Sequence, residues 1–425
     1  MRAQAAVPRR ARFSSKRRAL LAALAGGAAL AGCGGPRRLG GEAPGRERAE
    51  GDLHQFAARG YESEAANLAE TWRENLLYRD DEIAVELLVP RHGPPVPVVL
   101  YLPGMGESVG AGERWRKAWA GAGYAVVTLQ SVRAASLWTS PASRRGDFAP
   151  QAIEQFAPAA LGERLAQVDF VLKNFASRGG AGVFAQLDLG RVAVAGFDLG
   201  AQTAMALAGE RHPQLARVEP LPALRAVIAL SPHVRITGGF LGRFDHVQLP
   251  VLAVTGGEDH DPYGLVDSPQ TRRASYEYLP PGGKWLLVVG AGTHAMLSGV
   301  SQEIAGDSGS RSERSSRRSD DGGTGRGRSG GPGGSGGPGG SGGPGGMGGR
   351  GGMGGGSGGP RPGGPGGPGP GEGRSGADAK RQAIVVERVC LAFLDANLKS
   401  DPVASEWLAR DAARWLGPAA TLHHK

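Results

Sequence analysis

Three turns in this chain bring together the side chains that could do chemistry, each directly after an apolar run. The first is Gly196-Phe197-Asp198-Leu199-Gly200, inside "RVAVAGFDLGAQTAMALAG". It has the outline of a nucleophile elbow, G-x-S-x-G, with aspartate at the serine position. The second, "VTGGEDHDPYG", offers Asp259 and Asp261. The third, "VVGAGTHAMLSG", holds His294 in a glycine-rich turn. The chain order nucleophile, acid, histidine predicts Asp198, Asp259 (or Asp261) and His294 as a triad. Two backbone N–H groups could form an oxyanion hole, that of Leu199 and that of Met105 in "LPGMGES".

Aspartate limits what the first turn can do. A carboxylate attacking an ester carbonyl would have to expel an alkoxide far more basic than itself, so the intermediate would mostly revert. Attack on saturated carbon is open to it and forms an alkyl-enzyme ester. His294, oriented by the acid, could then activate water to cleave that ester. Aspartate is also a favoured helix N-cap, so Asp198 could instead cap the following helix in a protein that binds or scaffolds without catalysis. The chemistry calls for no metal and no cofactor.

These turns must be held by strands. The runs 82–90, 95–104, 122–130, 191–197, 224–232, 249–257 and 284–292 read as strands, most of them continuously apolar, as in a sheet covered on both faces. Stretches 113–121, 160–176 and 200–210 read as helices between them, and 52–79 also reads as helical. Strands alternating with helices predict an α/β fold, a mostly parallel central sheet flanked by helices. No long helical lid is expected between residues 200 and 250, so the cover over the site should be small.

The ends and one internal stretch have other compositions. Seven of the nine net positive charges lie in residues 1–18, ahead of the apolar run "ALLAALAGGAALAGC". That is a secretory signal, not a nucleic-acid surface, so no nucleic-acid partner is expected. Leu30-Ala31-Gly32-Cys33 resembles a bacterial lipobox, which predicts lipidation at Cys33 and anchoring in the cell envelope; an ordinary signal with a chance cysteine is the alternative. "KRRALL" leaves the general and twin-arginine export routes open. Cys390, the other of two cysteines, reads as a buried thiol on an amphipathic helix. Residues 305–378 are Gly-, Ser-, Pro- and Arg-rich; glycine falls at every third position from 330 to 356, but too little proline accompanies it for a triple helix. The expected organisation is therefore a signal at 1–32, a tether at 33–51, the main domain at 52–304, a disordered insertion at 305–378, and completing helices at 379–425.

The segments "PVVLYLPGMGES", "GRVAVAGFDLGAQTAMALAG", "LPVLAVTGGEDHDPYG", "LPPGGKWLLVVGAGTHAMLSG" and "FLDANLKSDPVASEWL" resemble the bacterial dienelactone-hydrolase-like branch of the α/β hydrolases, related to platelet-activating-factor acetylhydrolases. The resemblance implies an α/β-hydrolase fold and a small-molecule substrate. It assigns Met105 and Leu199 to the oxyanion hole, Asp259 as triad acid and His294 as base. The family's serine is Asp198 here, and its usual His-Gly is Pro103-Gly104. An esterase with an altered nucleophile is one reading. The other follows haloalkane dehalogenases and epoxide hydrolases of the same superfamily, which use aspartate on saturated carbon and help the leaving group with Trp or Tyr donors. Trp138, Tyr263 and Trp285 are the candidates for that help.

Overall fold

The computed structural model describes residues 44–64, 69–91, 93–137, 148–215, 221, 223–235, 239–300 and 372–425. The expected signal peptide, Cys33, Trp138 and most of the 305–378 insertion lie outside the described residues. Contacts divide the chain after Pro44, and all other described residues fall in the unit Gly45–Lys425.

Nine strands form one sheet: β1 (Ala69–Tyr78), β2 (Asp81–Pro90), β3 (Val96–Leu102), β4 (Ala125–Ser131), β5 (Leu187–Phe197), β6 (Leu224–Leu230), β7 (Val251–Glu258), β8 (Lys284–Thr293) and β9 (Ala420–His424). Their order is β1-β2-β4-β3-β5-β6-β7-β8-β9. The six strands from β4 to β8 run parallel; β1, β2 and β9 pair antiparallel at the margins. The molecule is therefore of the α/β class, with a mostly parallel mixed sheet.

The continuous apolar runs have a direct cause, because both faces of the sheet are covered. Val99, Tyr101, Ala195, Phe197, Ile228 and Val254 point into a core shared with α2 (Glu113–Gly121) and the long helix α9 (Glu372–Leu398). Their neighbours Val98, Leu100, Val194, Val227 and Val251 point the other way, toward α5 (Pro158–Ser177) and α6 (Leu199–Leu207). Adjacent residues on a strand face opposite sides, so only a two-sided core selects apolar residues at every position.

Three expectations are corrected. The 52–79 stretch is not one helix: α1 spans Pro44–Ala58, and β1 begins at Ala69. Along β1 the inward positions are Trp72, Glu74, Leu76 and Tyr78, while Leu77 is largely exposed. Glu74 pairs with Arg178 at 2.6 Å, so a charge interrupts the apolar alternation that marks a strand. Second, α1 starts inside the expected 33–51 tether. Third, α9 starts at Glu372, so residues 372–378 are helical and not part of a disordered insertion. The strand β9 escaped the sequence reading because "ATLHH" is short and polar. It joins the sheet by backbone pairing to β8.

Beyond the insertion, α9 is fastened by more than apolar packing. Asp395 is buried and accepts from Tyr61 Oη (2.7 Å) and Tyr124 Oη (2.6 Å), and it pairs with Lys399 Nζ at 2.7 Å. A buried carboxylate satisfied from three sides fixes the register of the helix against the sheet. Cys390 on the same helix is buried, and burial pushes its thiol well up, away from thiolate chemistry. No helix among the described residues is long and apolar enough to cross a membrane.

Candidate active site

The elbow follows from two glycines and one strained residue. Asp198 stands between β5 and α6 with φ 51° and ψ −105°, a backbone setting that L-residues rarely adopt. A Cβ on Gly196 would overlap the backbone of Gly200, and a Cβ on Gly200 would overlap the Leu102 carbonyl at the end of β3. Glycine at both positions lets the turn close and the first turn of α6 press against the loop after β3. The Asp198 N–H donates to Leu230 O at 3.0 Å, tying the turn to the end of β6.

The Asp198 side chain is fully buried, and neither carboxylate oxygen has a hydrogen-bond partner among the described residues. In particular it stands at the N-cap position of α6 but makes no side-chain capping bond to that helix. Burial raises its pKa to about 6. The charges of His294 and Arg272 act against that rise, and those of Asp261 and Asp259 add to it.

The acid and histidine turns meet because their backbones can touch. Cβ atoms on Gly256 and Gly257 would collide with Gly292 and Gly290, so the glycines of "TGGED" and "GAGTH" let β7 and β8 close together at their ends. The register shifts there, and Glu258 pairs with Thr293. Asp259 Oδ1 then lies 2.9 Å from His294 Nδ1. Asp261 does not reach the imidazole. It accepts backbone N–H groups of Tyr263 (3.3 Å), Leu265 and Val266 (2.9 Å), which shapes its own loop.

Asp259 is as buried as Asp198 but amply partnered. Oδ1 also accepts from Ser231 Oγ at 2.8 Å, Oδ2 accepts from Thr255 Oγ1 at 2.8 Å, and Arg272 Nε lies 3.3 Å from Oδ2. Burial alone would raise its pKa; the bond to His294, the Arg272 charge and the Ser231 bond outweigh burial and hold it below the usual carboxylate range. With Nδ1 committed to Asp259, Nε2 is the nitrogen of His294 free to take or give a proton. The ring also packs on Phe197, centroids 4.8 Å apart.

Four participants have no sequence signal. Arg272 is fully buried and donates to the carbonyls of Asp259 (3.0 Å), Ser231 (3.2 Å) and Pro232 (3.0 Å). Ser231, at φ 52°, stands at the end of β6 as Asp198 does at the end of β5. Glu107 lies in the loop after β3, and its Oε2 accepts the Gly104 N–H at 2.7 Å. His233 is buried, stacked on Phe156 at 3.8 Å, with no hydrogen-bond partner on either ring nitrogen among the described residues. Burial, followed by four surrounding arginines, holds its pKa well below the ordinary value, so it is neutral. Only the proximity of loop ends in the folded chain brings these residues together.

The N–H groups of Met105 and Leu199 donate to no other described residue. Both residues belong to a small apolar cluster with Ala152 and Phe156, packed by Leu137, Tyr263 and Leu265, which closes over the elbow. Of the expected leaving-group donors, Tyr263 packs against the Met105–Leu199 cluster, and the charges of Asp198 and Glu107 add to burial in raising its hydroxyl. Trp285 instead stacks on His424 of β9 at 4.8 Å. A surface pocket of about 660 Å³ lined by Phe56, Trp407 and Trp415 contains none of these groups, so the chemistry marks the site better than concavity does. No cluster among the described residues could hold a metal ion. No protein-family model matches this chain, and no curated protein matches its sequence.

Proposed function

We propose that the domain has an α/β-hydrolase fold and is a hydrolase that works through an alkyl ester on Asp198. One observation carries the reading: a strained, buried carboxylate with no hydrogen bond from any described residue sits in the field of a histidine that a second carboxylate orients. An elbow after β5, an acid after β7 and a histidine after β8 support the fold assignment, as does the loop after β3 pressed on the elbow.

In the first step Asp198 Oδ bonds to a saturated carbon of a small organic substrate, and the leaving group departs with its electron pair. In the second, His294 Nε2 takes a proton from water and the hydroxide adds to Cγ of Asp198. The resulting oxyanion is held by the N–H groups of Leu199 and Met105. Collapse expels the product alkoxide, which takes the proton back from His294, and Asp198 releases its acid proton to regenerate the carboxylate. Asp259 keeps the imidazole oriented and stabilises the imidazolium.

His294→Gln tests this. The first step remains and the second stops, so the protein's mass should rise by one alkyl group, and the added mass should map to Asp198. An absence of adduct with haloalkanes and epoxides alike would leave the site without covalent chemistry, as in a binding or scaffold protein. We further propose that the protein is a lipoprotein of the cell envelope, modified at Cys33. Mass spectrometry of the mature N-terminal peptide should find acylated Cys33; an unmodified N-terminus elsewhere sinks that part.

A further inference from the structure

We propose that Glu107 is the proton donor to an oxygen leaving group, which makes epoxides, and not haloalkanes, the substrate class. This rests on the reading of Asp198 as nucleophile. The loop after β3 folds back on itself: Glu107 N–H donates to Gly104 O at 3.2 Å, and Gly104 N–H returns a bond to Glu107 Oε2 at 2.7 Å. Gly106 between them takes φ 70°. A Cβ on Gly104 would lie 2.8 Å from the Phe197 ring and 3.1 Å from Glu107 Oε2, so the Glu107 carboxyl and the residue before Asp198 flank the same glycine. The loop that offers the Met105 N–H therefore also carries a carboxyl group to the elbow. Its Oε1 takes no hydrogen bond from any described residue and is available to carry a proton.

The chemistry of the leaving group decides what such a carboxyl can do. A halide departs as a stable anion and is best helped by side-chain N–H donors, which a leucine at position 199 does not supply. Ring opening of an epoxide would produce an alkoxide, which needs a proton as the C–O bond breaks. Asp198 Oδ bonds to the ring carbon, the C–O bond breaks, and the ring oxygen takes the Glu107 proton. After hydrolysis of the ester, Asp198 is left as the acid, and its proton returns to Glu107. The sum is epoxide plus water to diol, with both carboxyl groups restored.

Ionisation suits this division. The charges of Asp198 at the elbow and His294 after β8 act on Glu107, and its own charge acts on Tyr101 of β3 and Tyr263 after β7. Burial raises the Glu107 pKa to about 7; the Gly104 N–H and His294 lower it, and the Asp198 charge adds to the rise. Burial raises Asp198 as well, to about 6, so both carboxyl groups hold a proton at higher pH than a free carboxyl does. Burial and the charges of Asp198 and Glu107 raise the Tyr263 hydroxyl well above its ordinary value, which disfavours it as the donor.

The test uses the full-length His294→Gln protein and reads the rate of adduct formation by intact mass. Two probes share a carbon skeleton, styrene oxide and phenethyl iodide. Adding Glu107→Gln, which keeps the acceptor for Gly104 N–H, should lower the oxide-to-iodide rate ratio by about 10²-fold or more. Glu107→Asp should restore part of the ratio, and the oxide rate alone should fall as the pH rises past 7. A ratio that does not change, or rates that fall together, would overturn the assignment, as would a ratio that drops with Tyr263→Phe and not with Glu107→Gln. Iodide adduct without oxide adduct in the parent protein sinks the Glu107 role and leaves Asp198 as nucleophile. No adduct with either probe sinks both.

Discussion

Asp198 and Asp259 are both fully buried and both act on His294, yet their surroundings are opposite. Asp259 is bound by Ser231, Thr255, His294 and Arg272, and its pKa is lowered. Asp198 accepts no hydrogen bond from any described residue, and its pKa is raised. A carboxylate with every lone pair in use is a fixed charge that can orient a neighbour and little else. A carboxylate stripped of water and given no donors has lone pairs to spend on a new bond. In the proposed mechanism the same side chain plays two parts, set by how many donors the fold aims at it.

Removing the charge at Asp198 should produce the largest effect. Asp198→Asn keeps shape and tolerance of positive φ but abolishes attack, so turnover should fall by about 10⁶-fold, as when a nucleophile is lost elsewhere. Stability should move the other way. The folded pKa is raised, so ionising Asp198 costs stability as the pH climbs from that of an unfolded carboxyl toward 6. Asp198→Asn escapes that cost. It should be more stable than the parent by about 2–3 kcal/mol at pH 7 and nearly equal to it at pH 4. Denaturant melts at the two pH values check this, and an equal difference at both would break the comparison.

Asp259→Asn should lose less activity and, unlike the first variant, lose stability. The wrong imidazole tautomer costs about 10⁴-fold in a comparable triad. The buried Arg272 would lose its carboxylate partner at 3.3 Å and keep Asp261 at 4.0 Å, a loss of about 3 kcal/mol. Steady-state rates and thermal unfolding measure both. A gain in stability would mean that Asp259 is no better accommodated than Asp198.

Asp198→Ser should give the smallest signal and sharpens the comparison most. It recreates Gly-Phe-Ser-Leu-Gly beside the same histidine and acid, and Leu199 and Met105 still present free N–H groups. Hydrolysis of a short p-nitrophenyl ester should rise about 10²-fold over the parent. A flat response would show that the two N–H groups do not converge on one oxyanion.

The sheet and the three turns were legible because each rests on local pattern. Apolar runs followed by glycine fix where the strands end, and "GFDLG", "GGED" and "GAGTH" carry their close approaches in their glycines. Arg272, Ser231, Glu107 and His233 were not legible. Nothing in their neighbours marks them, and they matter only because the ends of β3, β6, β7 and β8 converge in space. Edge strand β1 misled for a related reason. Glu74 faces inward because Arg178 lies across from it, and that partner is far away in sequence.

The positive φ at Asp198 also bears on how such a site could change over generations. No single base change converts a serine codon into an aspartate codon. From the AGY serine codons, the shortest routes pass through glycine or asparagine. Those are the residues that best tolerate this backbone setting. A lineage crossing between the two nucleophiles by these routes therefore keeps its elbow folded at the intermediate step while its chemistry falls silent. The protein can persist as a shape without a reaction and later resume with a different bond-forming atom.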